Sequence, residues 1–199
     1  MSRRKNTVIV GPPPADDIIK DERKVAIKDA SINDGFCNYS YEILRGFANG
    51  DTINRKGSKV IHPDLYQAFK RVHVHLAFVD DAFHHSAIEI DDIDRYHDHS
   101  ITDMYRVDAI RIKGTEENAR VVIIGSKHLT LGGRMKAETP PVSLTTAYKW
   151  YNELNTAVQN IIREVELYMD GKHDETVEQE DNQLEMTFGE SFDFENAAQ

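Results

Sequence analysis

A single cysteine, Cys37, stands among the 199 residues of this chain. One thiol closes no internal disulfide, so the fold must be held by its core, and the chain reads as one suited to reducing surroundings. Cys37 itself reads as a small buried hydrophobe. No apolar run approaches the roughly 20 residues of a membrane-spanning helix, and no membrane partner is expected. Val8-Ile9-Val10, after the basic start Met1-Ser-Arg-Arg-Lys, is too short for the apolar core of a signal peptide. The expected location is the cytoplasm. Phosphate-binding loop, dinucleotide fingerprint, nucleophile elbow and zinc-finger spacing are all missing from the sequence. Ser126-Lys127-His128 are adjacent in a strand-like segment, where neighbours point to opposite faces, so they form no catalytic trio. These absences lean the reading away from an enzyme and from a resident cofactor.

What is present divides into three parts. Residues 1–22 read as a flexible arm, with Pro12-Pro13-Pro14 favouring extended backbone. Residues 23–170 read as one domain of about 150 residues, long enough to bury its own core. Residues 171–199 read as an acidic tail. From Asp170 to Gln199 there are ten acids against one base, Lys172, so this stretch carries −9 of the net −10 and the rest of the chain is nearly neutral.

Within the domain, Val25–Ile27 and Asn38–Leu44 read as strands, and Gly46–Lys59 as a loop punctuated by Gly46, Gly50 and Gly57. Pro63 suits the first position of a helix. Leu65, Phe69, Val72, Leu76, Val79 and Phe83 then share one stripe. Tyr105–Lys113 and Val121–Leu129 read as a hairpin, with a bulge where alternation fails near Ala109-Ile110. Gly132-Gly133 turns into a third strand, Arg134–Glu138. A second long helix is expected from a Ser143 cap through Leu144, Ala147, Tyr151, Leu154, Val158, Ile161, Val165 and Tyr168, with Gly171 as its stop. The expected fold is α+β: an antiparallel sheet with two long amphipathic helices packed on it, or pairing with each other or with a second copy. No internal repeat is visible in the sequence.

Two clusters carry candidate chemistry. Arg106, Arg111, Lys113, Arg120, Lys127, Arg134 and Lys136 make the hairpin region basic. Past the bulge Arg111 and Lys113 share a face, which Lys127 and Arg134 would extend. A cationic strand surface with aromatic rings nearby suits single-stranded nucleic acid, through phosphate contacts and base stacking. Six of the nine histidines fall between residues 73 and 99, interleaved with aspartates. Imidazole and carboxylate suit zinc, manganese or iron. On a helix, His73 and Asp80 lie two turns apart on one side, and Asp80 and His84 are neighbours. With His97 and His99 they make a candidate site for a divalent metal, though no spacing is a metal signature. Solvated histidines beside acids account for the same density.

The tail holds Gln183-Leu184-Glu185-Met186-Thr187-Phe188. This peptide resembles the clamp-binding peptide of proteins that dock on bacterial sliding clamps. The resemblance implies that Gln183 is the polar anchor and Leu184, Met186 and Phe188 the apolar ones, with Met186 where leucine is usual. Further on, Phe192 and Phe194 stand among acids. That segment resembles the acidic tails of bacterial and phage single-stranded DNA-binding proteins, except that it ends on Asn-Ala-Ala-Gln and not on the aromatic. The resemblances imply a sliding clamp or another replication protein as partner. They imply a phage-encoded, non-enzymatic accessory protein of DNA metabolism, working in a host cytoplasm. The alternatives are a metal-binding protein or metal-dependent enzyme, and a structural protein whose heptad helices make a homo-oligomer.

Overall fold

A computed structural model describes residues 25–45, 48–83, 92–114 and 118–175. The first strands are Val25–Asn33 (β1) and Phe36–Ile43 (β2). Asp34 and Gly35 join them at φ 50° and 83°, the pair of left-handed residues that a tight hairpin requires. A third strand, Thr52–Val60 (β3), follows on the outer side of β2. It lies within the segment expected to be loop. Its sequence is polar because it is an edge with little to bury. Gly57 is required there, since a Cβ would strike the Cys37 carbonyl and the Tyr168 hydroxyl.

Two short helices come next, Pro63–Lys70 (α1) and His73–Val79 (α2), where one long helix was expected. At the break the Val72 N–H bonds Phe69, three residues back, at 3.0 Å. Val72 to His75 alternate β-branched and imidazole side chains, which are weak helix formers. The stripe nonetheless stays inside: Leu65, Phe69, Val72, Leu76 and Phe83 are all buried. Val74, His75, Ala77 and Phe78 are buried too, so α2 is enclosed all round and not amphipathic.

The second half repeats the order. Tyr105–Lys113 (β4), Arg120–His128 (β5) and Arg134–Glu138 (β6) form an antiparallel meander, and Val142–Ser143 (β7) adds a short pair to β5. The helix Tyr151–Met169 (α3) closes the fold. It begins about two turns later than the stripe implied. Ser143 caps a turn instead, accepting from the Thr145 and Thr146 N–H groups at 3.3 and 3.1 Å, and Ala147 at φ 68° interrupts the helix. At the other end Gly171 is left-handed, and Lys172 N–H reaches the Leu167 carbonyl at 2.8 Å, a Schellman closure. Beyond it Lys172 pairs with Asp64 and Glu164, and His173 bridges Ile61.

The sheet order is β3-β2-β1-β4-β5-β6. The class is therefore α+β with an antiparallel sheet, carrying one long helix and two short ones among the described residues. The two halves are related by a pseudo-two-fold axis. β1 and β4 are each nine residues and pair antiparallel, the sixth residue of one (Ala30) opposite the sixth of the other (Ile110). Each is bulged at its fourth residue, Lys28 and Asp108. α1 and α2 lie on β4, and α3 lies on β1 and against α1. The described helices α1, α2 and α3 thus cover one face, where Ala30, Ile110, Ile123, Leu154, Val158 and Ile161 are wholly buried. Burying each large aliphatic side chain contributes about 1.5–3 kcal/mol.

Candidate nucleic-acid interface

Alternation along the strands sends every second side chain away from the helices. On β4 the register turns Arg111 and Lys113 outward, opposite Val122 and Arg120 of β5. On β6 it turns out Lys136 and Glu138. β1 and β2 add Lys28, Asp29 and Glu42, and β3 adds Lys56. The central outward face therefore carries six cations, Lys28, Lys56, Arg111, Lys113, Arg120 and Lys136, against four carboxylates, Asp29, Glu42, Asp108 and Glu138. Lys28 holds Glu42 at 2.7 Å, Arg111 holds Asp29 at 3.1 Å and Lys136 holds Glu138 at 2.8 Å. Lys56, Lys113 and Arg120 have no carboxylate in ion-pair range among the described residues. Glu138 reports the shared field: Lys136 first, then Arg111 and Lys113, hold its carboxyl below the usual range. At the centre is a shallow concavity of about 690 Å³ lined by Lys28, Lys56, Arg111 and Lys113 together with Asn38, Ser40 and Asn54.

The seven cations read from the sequence thus separate into three groups. Arg111, Lys113, Arg120 and Lys136 share the central face. Arg106 and Arg134 turn out on the same side but at the strand ends, where they line a second concavity of about 380 Å³ with Tyr66, Lys70 and His73. Arg106 is tied to Asp108 at 2.8 Å. Lys127 leaves this face, its side chain still 27% exposed. It is opposite Tyr105, on the helix side, with its ammonium 5.0 Å from the Tyr105 ring centroid and 3.1 Å from Asp80. The hydrogen bond with Tyr105, then Asp80, holds its pKa up. The sequence could show that Lys127 falls in a strand, but not that the bulge at Asp108 puts it across from an inward tyrosine.

The aromatic rings expected beside these cations also face the helices. Tyr39 and Tyr41 are opposite Ala30 and Ile27, and Tyr39 meets Tyr168 of α3 edge-on at 6.3 Å. Tyr39 nonetheless contributes to the lining of the central concavity, and the register turns Phe36 outward at the hairpin end of β2. Sequence reasoning missed Lys28 and Lys56, the first because strand β1 was read too short and the second because β3 was read as loop.

The candidate metal residues are dispersed. Asp80 accepts from the Tyr105 hydroxyl and Lys127. His97 pairs with Asp94 at 3.3 Å. His99 accepts from the Ile101 N–H at 3.1 Å and stacks against Phe83 and Tyr96. His73 is largely buried, which holds its imidazole down to about 4. Among the described residues no group of three or more His, Cys, Asp or Glu side chains is placed to hold a metal ion. His84 lies outside the described residues, as do Gln183, Leu184, Met186, Phe188, Phe192 and Phe194 of the tail. His75, not singled out from the sequence, is buried and neutral, pushed down to about 3 by burial, with Nδ1 3.0 Å from the Tyr148 hydroxyl. Cys37 is enclosed, its thiol pushed up to about 12 by burial, which suits packing and not reactivity. Among the described residues no helix is long and apolar enough to cross a membrane. No protein-family model, no curated protein and no solved structure matches the chain.

Proposed function

We propose that this protein is a non-enzymatic accessory factor of DNA metabolism that holds single-stranded nucleic acid on the outward face of its sheet and recruits a replication partner, such as a sliding clamp, through its acidic tail. One observation carries the first half: among the described residues cations outnumber carboxylates on the sheet face turned away from the helices, although the chain as a whole is at −10. A polyanion laid across such a face displaces counterions from its own phosphates, the main source of affinity in such complexes. Lys56, Lys113 and Arg120 are the main phosphate contacts, since among the described residues no carboxylate lies in ion-pair range of them. The second half rests on the peptide Gln183–Phe188 and on the ring-bearing acidic segment after it.

Fluorescence anisotropy with labelled single strands across a salt series tests the first half. Affinity at low salt that falls steeply as salt rises supports it, and no binding at low salt ends it. Capture of partners by the intact chain and by one ending at Glu175 tests the second. The cut belongs there because Lys172 and His173 are engaged with the folded body. A replication protein retained only by the intact chain supports recruitment, and identical captures end it.

A further inference from the structure

Where the outward face of the sheet runs out at the start of β4, it meets the flank of α1. Tyr66 and Lys70 are one helical turn apart on that flank, and His73 opens α2 just beyond it. Facing them are Arg106, Ser126, His128 and Arg134 from the outward positions of β4, β5 and β6. Together they line the second concavity, of about 380 Å³, a volume suited to a small ligand or one residue of a polymer. Tyr66 is 47% exposed, the one large aromatic side chain so exposed among the described residues. Neither Lys70 nor Arg134 has a carboxylate partner among them, and Asp103 is the only carboxylate in the lining.

An exposed ring between unpaired cations is an expensive arrangement for a surface to keep, and it matches one chemistry well. A nucleotide offers a flat base to stack and a phosphate to pair, on neighbouring atoms. Base–aromatic stacking accepts any base, and the cations take the adjoining phosphates. We propose that this concavity is a nucleotide pocket in which Tyr66 stacks a base of the bound single strand while Lys70 and Arg134 hold its flanking phosphates. The inference rests on the nucleic-acid reading above and adds to its cations an exposed ring able to stack. It also gives the strand a direction of travel, from Lys113 and Arg111 past Arg106 to α1.

The test uses the full chain, a labelled oligo-dT, and inorganic polyphosphate as a competitor that has the charge and no bases. Tyr66→Ala is expected to weaken oligo-dT binding by roughly tenfold or more. Tyr66→Phe and Tyr66→Trp should keep it, and polyphosphate binding should be the same for all four proteins. Tyr66→Trp should also show its fluorescence quenched on adding oligo-dT. If Tyr66→Ala binds oligo-dT like the parent, or weakens polyphosphate equally, the stacking pocket is overturned while the wider reading stands. If the parent protein binds neither oligo-dT nor polyphosphate at low salt, both fall together. A melting curve for each variant confirms the fold, and the tryptophan signal decides the matter without the alanine variant.

Discussion

The two faces of one sheet are made from the same strands and differ in almost everything else. On the helix side Ile110 and Ile123 are fully enclosed, and Lys127 and Tyr168 are tied down, to Asp80 and to the Lys59 backbone at 2.6 Å. On the outward side Lys56, Lys113 and Arg120 are left unpaired among the described residues. A strand turns adjacent residues in opposite directions, so neighbours such as Ile112 and Lys113 serve unlike purposes. Stability is concentrated on one face, and the other is free to carry charge that adds nothing to folding.

If that division holds, substitutions should sort by face. The largest effect is expected inside. Leu154→Ala, at a fully buried site on α3, should cost about 2–5 kcal/mol, read by denaturant unfolding, and should leave the salt slope of nucleic-acid binding unchanged. Acid comes next. His73 and His75 have folded pKa values of about 4 and 3 because burial disfavours the imidazolium. The unfolded chain takes up those protons near 6.5, so stability is full above that pH and is lost as pH falls toward 4 and then 3. The loss amounts to about 1.4 kcal/mol per pH unit for each histidine. Thermal midpoints measured from pH 7 to 4 should fall, and His75→Asn should flatten the curve whatever its midpoint at neutral pH. On the outward face, Lys113→Glu with Arg120→Glu should leave the melting temperature within the scatter of surface changes, about 0.5 kcal/mol. The same pair should weaken single-strand binding and reduce the magnitude of its salt slope by roughly 1.4, about 0.7 for each lost phosphate contact. The smallest effect is reserved for the lysine on the wrong side. Lys127→Ala should cost about 0.5–1 kcal/mol through its ion pair and ring contact and leave binding untouched. A salt slope that moves with Lys127 as much as with Lys113 would break the comparison.

The meander Tyr105 to Glu138 was legible because its first two strands are rich in β-branched residues and glycines mark the turns that follow them. β3 was not, because an edge strand over Gly57 buries little and so lacks the apolar alternation that marks a strand. The Asp34-Gly35 turn signal was available and points to the β1–β2 hairpin, with β3 continuing the meander. The stripe on α1 and α2 foretold burial correctly and continuity wrongly. Apolar spacing reports which side faces the core, whereas the break at Val72 depends on backbone hydrogen bonding. The early start assigned to α3 failed for the opposite reason: Leu144 is buried, but by a turn and not by a helix. Of the site, the charge cluster was legible. Its partition between faces was not, since a single bulged residue, Asp108, shifts the alternation, and neither was Tyr66, whose exposure depends on how α1 meets β4.

The pseudo-two-fold has a cost for folding. Each half contributes three strands to the main order of the sheet, with β7 added beside β5, and rests its helices on the strand of the other half that lies at the middle of the sheet: α1 and α2 on β4, α3 on β1. Neither half can therefore melt by itself, because losing either one uncovers the apolar surface of its neighbour. The molecule is bound to unfold as one cooperative unit, and a chain divided between α2 and β4 should yield two fragments that are soluble and structured only when mixed.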